Sequence, residues 1–179
     1  MGIDVYMKWK QQSDAQRKAQ FTGFSITAGE VGYLREAYHG GPYAIAYLIT
    51  EDWDKQPKGG FKIPATKLRE RLPSTVLAAL YRQHVVYGER LDDPSVLNLK
   101  EGDDQPVRAL MDGVKRLLAE AKTAKNRDFA PNEEQARAVS ELIERRALPD
   151  YALSFVDFVS LAERKEKETG EAVRVYVSA

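Results

Sequence analysis

Cysteine is absent from this 179-residue chain. That one absence removes disulfides, thiolate nucleophiles, iron–sulfur clusters and cysteine-based zinc sites together. Histidine is scarce: His39 and His84 are the only two, far apart in sequence, and no paired-histidine motif such as H-E-x-x-H occurs. Charge of one sign is lacking as well, because 27 Lys plus Arg balance 27 Asp plus Glu. A balanced chain has no long-range field to draw it to nucleic acid or to an anionic membrane. The longest nearly uncharged apolar run, residues 42–49, falls far short of the roughly 20 residues a spanning helix needs. Residues 1–10 have no signal-peptide pattern, and Gly2 is followed by Tyr6 where a myristoylation signal carries Ser or Thr. These absences point to a soluble, cytoplasmic protein with no membrane partner.

Signatures of chemistry are missing too. There is no G-x-S-x-G elbow for a serine nucleophile. Neither G-x-G-x-x-G nor G-x-x-x-x-G-K-[ST] occurs, which argues against the common nucleotide folds. Asp92, Asp93, Asp103 and Asp104 lack EF-hand ligand spacing and read as solvated loop carboxylates. No metal and no cofactor are expected. Lys115, Arg116, Lys122, Lys125 and Arg127 make one region locally basic, and Lys67, Arg69, Arg71 and Arg82 another. With a pI near 6.8 both read as solvated helix faces, so a nucleic-acid partner is not expected.

What is present describes a folded domain. Hydrophobic residues make up 43% of the chain and charged residues 30%, a globular composition. The length suits one domain able to bury roughly 70% of its unfolded surface. Ile3, Val5 and Met7 alternate with Asp4, Tyr6 and Lys8, and Val173, Val175 and Val177 alternate with Arg174, Tyr176 and Ser178. Each is a half-buried strand, the two are expected to share a sheet, and residues 21–26 are a candidate third strand. The middle reads as helices. Ser74 is the expected cap of a helix reaching Val86, with Pro73 at the junction. Val107, Leu110, Val114, Leu117, Leu118 and Ala121 predict a helix over residues 105–125. Asn132 is the expected cap of the next, burying Ala136, Val139, Leu142 and Ile143. Asp150 is the expected cap of another, burying Ala152, Phe155, Phe158, Val159 and Ala162 and stopping at Gly170. Residues 51–60 read as an exposed loop, and residues 88–105 as a long one that marks a possible subdivision. The fold class is α+β: one helix-rich domain with a small sheet that uses the N- and C-terminal strands.

Four of the nine tyrosines, Tyr33, Tyr38, Tyr43 and Tyr47, fall within residues 33–47, together with His39. This segment is the leading candidate site: Tyr33, Arg35, Glu36, Tyr38, His39, Gly40, Gly41 and Tyr43. If residues 31–39 form one short helix, Arg35 and Glu36 stand beside His39 at i, i+4 and i, i+3. A carboxylate orients or charges an imidazole, as acid–base chemistry requires. A guanidinium holds a carboxylate or phosphate, and Gly40-Gly41-Pro42 shapes the backbone beside it. The competing, purely structural reading has Tyr38, Tyr43 and Tyr47 packed with their hydroxyls at the surface and Arg35 and Glu36 solvated. Two functions follow from the segment. The first is a non-enzymatic protein that binds a small ligand or a protein partner there. The second is an enzyme acting on a small polar or phosphorylated substrate, with His39 as acid–base and Arg35 as anion anchor. His84, in Gln83-His84-Val85, reads as a packed or helix-ending residue.

Overall fold

The computed structural model describes residues 2–22, 28–38, 42–86, 112 and 133–179. Strand β1 (Gly2–Lys8) is followed by α1 (Asp14–Phe21), a 3-10 turn (Gly29–Val31) and β2 (Tyr33–Ala37). Then come α2 (Ala44–Leu48), a second 3-10 turn (Trp53–Lys55), β3 (Phe61–Lys62) and α3 (Ala65–Val86). Helices α4 (Glu133–Glu144) and α5 (Asp150–Thr169) lead to β4 (Arg174–Ser178). The sheet is antiparallel throughout, in the order β2-β1-β4-β3. The architecture is therefore α+β, and β1 and β4, expected to share a sheet, pair at its centre.

Period-2 alternation gives the sheet two unlike faces. Ile3, Val5, Met7, Leu34, Val175 and Val177 turn inward and are buried. Against them pack α3 and α5, with Leu68, Leu72, Leu77, Leu80, Phe158 and Val159 all fully buried. The stripe foreseen on α5 holds: Ala152, Phe155, Phe158, Val159 and Ala162 are buried, and the helix ends on Gly170 in the left-handed region at φ 69°. Its cap position belongs to Pro149 rather than Asp150, which opens the first turn. On α4, Val139, Leu142 and Ile143 are buried. The expected cap Asn132, the side chain of Ala136, the helix over residues 105–125 apart from Asp112, and the loop over residues 88–105 lie outside the described residues.

Three further expectations are corrected. Helix α3 does not begin near Ser74; it runs unbroken from Ala65 through Pro73. An internal proline costs about 3 kcal/mol, but Leu68, Leu72, Val76 and Leu80 form one buried stripe across it, whose burial offsets that cost several times over. The amide of Ala65 at the true start donates to Glu166 Oε2 at 2.6 Å, so α5 caps α3. Phe21 is not in a strand: it ends α1, which Ser13 and Gln16 open as a reciprocal capping box, while residues 23–26 of the candidate strand lie outside the described residues. Residues 31–39 do not form one helix. Gly32, at φ 80°, ends the 3-10 turn, and Tyr33 then starts a strand in register with β1. Burying Leu34 on one face and Tyr33 on the other is what a sheet achieves and a short helix does not.

The 3-10 turn before β2 lies directly on α5. A Cβ on Gly29 would stand 1.8 Å from the Ser154 carbonyl oxygen, so only glycine permits this approach.

Candidate functional site

Alternation along β2 divides the segment singled out in the sequence. Arg35 and Tyr33 face outward, whereas Glu36 faces the helices. Tyr33 is fully buried, its hydroxyl donating to Asp4 Oδ1 at 2.6 Å. Burial first, and that hydrogen bond second, push the phenol up to about 12. Arg35 Nη1 reaches the same Asp4 oxygen at 3.4 Å. Asp4 thus ties the tyrosine and the arginine together on the outer face.

Glu36 is buried and its two oxygens have separate tasks. Oε1 accepts from the Ala44 amide at 3.0 Å and Oε2 from the Ile45 amide at 2.7 Å. Arg82 Nε stands 3.7 Å from Oε1, and the same guanidinium donates to the carbonyls of Ala37 and Pro42. It also lies over the Tyr43 ring, 4.6 Å from the centroid, and Tyr43 meets Tyr38 edge-on at 6.2 Å. Burial raises the Glu36 carboxyl, and the amides of Ile45 and Ala44, then Arg82, oppose it. This cluster fastens α2 to β2 and α3. Arg35, Glu36, Arg82, Gln83 and Tyr151 border a small recess of about 100 Å³ at the outer edge of β2. Tyr38 is 42% exposed, the largest exposure among the described candidates. His39, Gly40 and Gly41 lie outside the described residues, as does the side chain of His84.

A larger recess, of about 590 Å³, opens on the outer sheet face, where α1 leans over β1 and β4. Tyr6, Trp9, Phe21 and Tyr176 supply its aromatic wall; Lys8 and Arg17 supply charge; Gln11, Gln12 and Gln20 complete it. Phe21 stacks on Tyr6 at 5.1 Å although half of it is exposed. Lys8 Nζ lies 5.6 Å from the Tyr176 centroid, and Arg17 pairs with Asp14 on its own helix. Gln20 is buried, its amide nitrogen donating to the carbonyls of Met7, Val31 and Gly32. It thereby anchors α1 to both the sheet and the 3-10 turn. Gln11 adopts φ 63°, a left-handed conformation that costs a non-glycine residue about 1–2 kcal/mol, and strain of this kind gathers at functional sites.

Of the residues that line this recess, Tyr6, Lys8 and Tyr176 are legible in the sequence only as the polar positions of strands and Phe21 only as the start of a candidate strand; none is legible there as part of a site. The local signal was the capping box Ser13-x-x-Gln16, which marks α1. The rest needs the pairing of β1 with β4, which brings Tyr176 beside Tyr6.

Among the described residues no group of three or more His, Cys, Asp or Glu could hold a metal ion, and no helix is long and apolar enough to cross a membrane. The chain matches no protein-family model, no curated protein and no solved structure.

Proposed function

We propose that this chain is a non-enzymatic binding protein whose ligand is a small aromatic anion, seated in the recess between α1 and the sheet. The observation that carries the reading is the composition of that recess. A volume of about 590 Å³ is the size of a small-molecule site. Four aromatic rings and two cations line it, without a carboxylate among the described lining residues. Aromatic walls favour planar apolar surface, and lysine and arginine favour negative charge. The segment over residues 33–47 enters through Tyr33, whose ring lies 5.3 Å from Tyr6 and backs the seat.

An enzyme built on His39, Arg35 and Glu36 has less support. Glu36 is committed to two amides and to Arg82, and Arg35 is turned to Asp4 on the opposite face. The two side chains meet only at the small recess of about 100 Å³, which is below the size of a small-molecule site.

Trp9 reports on the recess directly. In a Trp53→Phe background, anilinonaphthalene sulfonate should change Trp9 emission saturably. Tyr176→Ala should weaken that binding strongly, and Tyr38→Ala, remote from the recess, should not. No saturable change, or equal binding by all three proteins, would remove the recess as the seat.

A further inference from the structure

The strand register builds two rows across the outer face. Tyr33 pairs with Tyr6 and Tyr6 with Tyr176, giving three tyrosines side by side on β2, β1 and β4. Lys8 pairs with Arg174 and Arg174 with Lys62, giving three cations side by side on β1, β4 and β3. The rows lie two residues apart along the strands, about 7 Å, and each spans about 10 Å across them. Lys8 belongs to both the cation row and the recess wall, so the recess opens onto the cations.

Glu171 is the carboxylate beside that row. It pairs with Lys10 at 2.6 Å, and Lys10, with smaller contributions from Lys62 and Arg174, holds its carboxyl below the usual range. Arg174 also donates to the Gly60 carbonyl at 3.4 Å, which draws its guanidinium towards β3, the strand of Lys62. Three aligned cations exceed what a monovalent anion needs. An aromatic ring and several negative charges must therefore meet in one molecule to use both rows.

Resting on the reading of the recess given above, we infer that the ligand class is a free nucleotide. Its base lies against Tyr176 and Phe21, and its phosphates run along Lys8, Arg174 and Lys62. The contacts are side-chain contacts throughout, which is consistent with a sequence that has no glycine-rich phosphate loop. A net charge of zero favours a free nucleotide over a nucleic-acid strand, whose capture relies on an extended basic field.

Calorimetric titration of the whole chain with ATP tests this, alongside adenosine, tripolyphosphate and a short oligodeoxythymidine. ATP should bind more tightly than adenosine or tripolyphosphate alone. Lys62→Ala and Arg174→Ala should each weaken ATP about tenfold, the worth of one charge-assisted contact, and leave adenosine unchanged. Glu171→Gln should tighten ATP, a gain that misfolding does not produce. ATP binding that ignores Lys62, Arg174 and Glu171 would overturn the inference, as would no binding. Tighter binding of the oligonucleotide than of ATP would overturn it in favour of a single strand. If anilinonaphthalene sulfonate binds the recess and ATP does not, the nucleotide class fails and the aromatic-anion seat stands. If neither binds, both fail.

Discussion

Glu36→Gln is the most exacting test of how β2, α2 and α3 are joined. The carboxylate serves two amide donors with two different oxygens, Ala44 N on Oε1 and Ile45 N on Oε2. Glutamine offers one carbonyl oxygen and one amino group. Whichever way it turns, one buried N–H faces another donor, an unsatisfied contact that costs about 1–3 kcal/mol. The substitution also removes the charge beside Arg82, whose side chain is 3% exposed. Breaking a buried ion pair from one side costs about 3–5 kcal/mol. Arg82 keeps the carbonyls of Ala37 and Pro42, which softens that second loss. The two effects overlap, so the expected total is about 3–5 kcal/mol. In a domain of this size that lowers the melting temperature by roughly 6–20 °C. Urea melts and calorimetry measure it. Removing both members in Glu36→Gln/Arg82→Met should cost less than the two single losses added, since no unpaired buried charge remains. A Glu36→Gln protein within 1 kcal/mol of wild type would show that Glu36 is not the fastening described here.

Other substitutions probe separate features. Gly29→Ala should cost about 1–3 kcal/mol or more, because backbone atoms of α5 surround the added methyl; a wild-type melt would refute the close approach. Gln11→Gly should stabilise the protein by about 0.5–1 kcal/mol through relief of a left-handed backbone while weakening the binding of anilinonaphthalene sulfonate. Loss of stability would refute the relief of strain, and unchanged binding would show that Gln11 has no part in holding the ligand. The stability that Tyr33 contributes through its neutral phenol should be intact below pH 10, and lost as pH rises from 10 towards about 12. Tyr33→Phe should therefore show a shallower alkaline loss than wild type, and parallel alkaline profiles would contradict the raised phenol. Arg35→Ala, on the partly exposed outer face, should cost no more than about 1 kcal/mol; a loss as large as that of Glu36→Gln would mean that the two faces of β2 were misassigned.

The sequence announced those elements whose pattern survives without tertiary information. β1 and β4 alternate strictly, and α5 carries an apolar stripe closed by Gly170, so each was legible. The failures share a cause. Val31, Leu34 and Tyr38 fall at helical spacing, yet residues 33–37 pair with β1 because Gly32 stops the preceding turn and both faces of the strand find cover. Pro73 looked like a boundary because its local cost is visible in the sequence, whereas the buried stripe that outweighs it appears only once α5 is in place. Candidate sites follow the same rule. Clustering in sequence drew notice to residues 33–47, where Glu36 and Arg35 turn out to face opposite ways. Of the tyrosine and cation rows only Tyr33 belongs to that cluster; the rows exist only in the register of β1 with β2 and β4 and of β4 with β3, and the β1–β4 pair joins strands some 170 residues apart.

That separation governs the order of assembly. β1 lies between β2 and β4, and its pairing with β2 closes a short loop, whereas its pairing with β4 joins Asp4 to Ser178. During synthesis the β1–β2 pair can form as soon as residue 37 is free. The other edge of β1 then waits, with its backbone groups unpaired, until residue 178 arrives. For that interval Ile3, Val5 and Met7 sit on an open, apolar edge, the kind that pairs with other chains. The strand at the centre of the finished sheet is therefore the most vulnerable one while the sheet is being made, and conditions that slow the arrival of β4 should favour aggregation through β1.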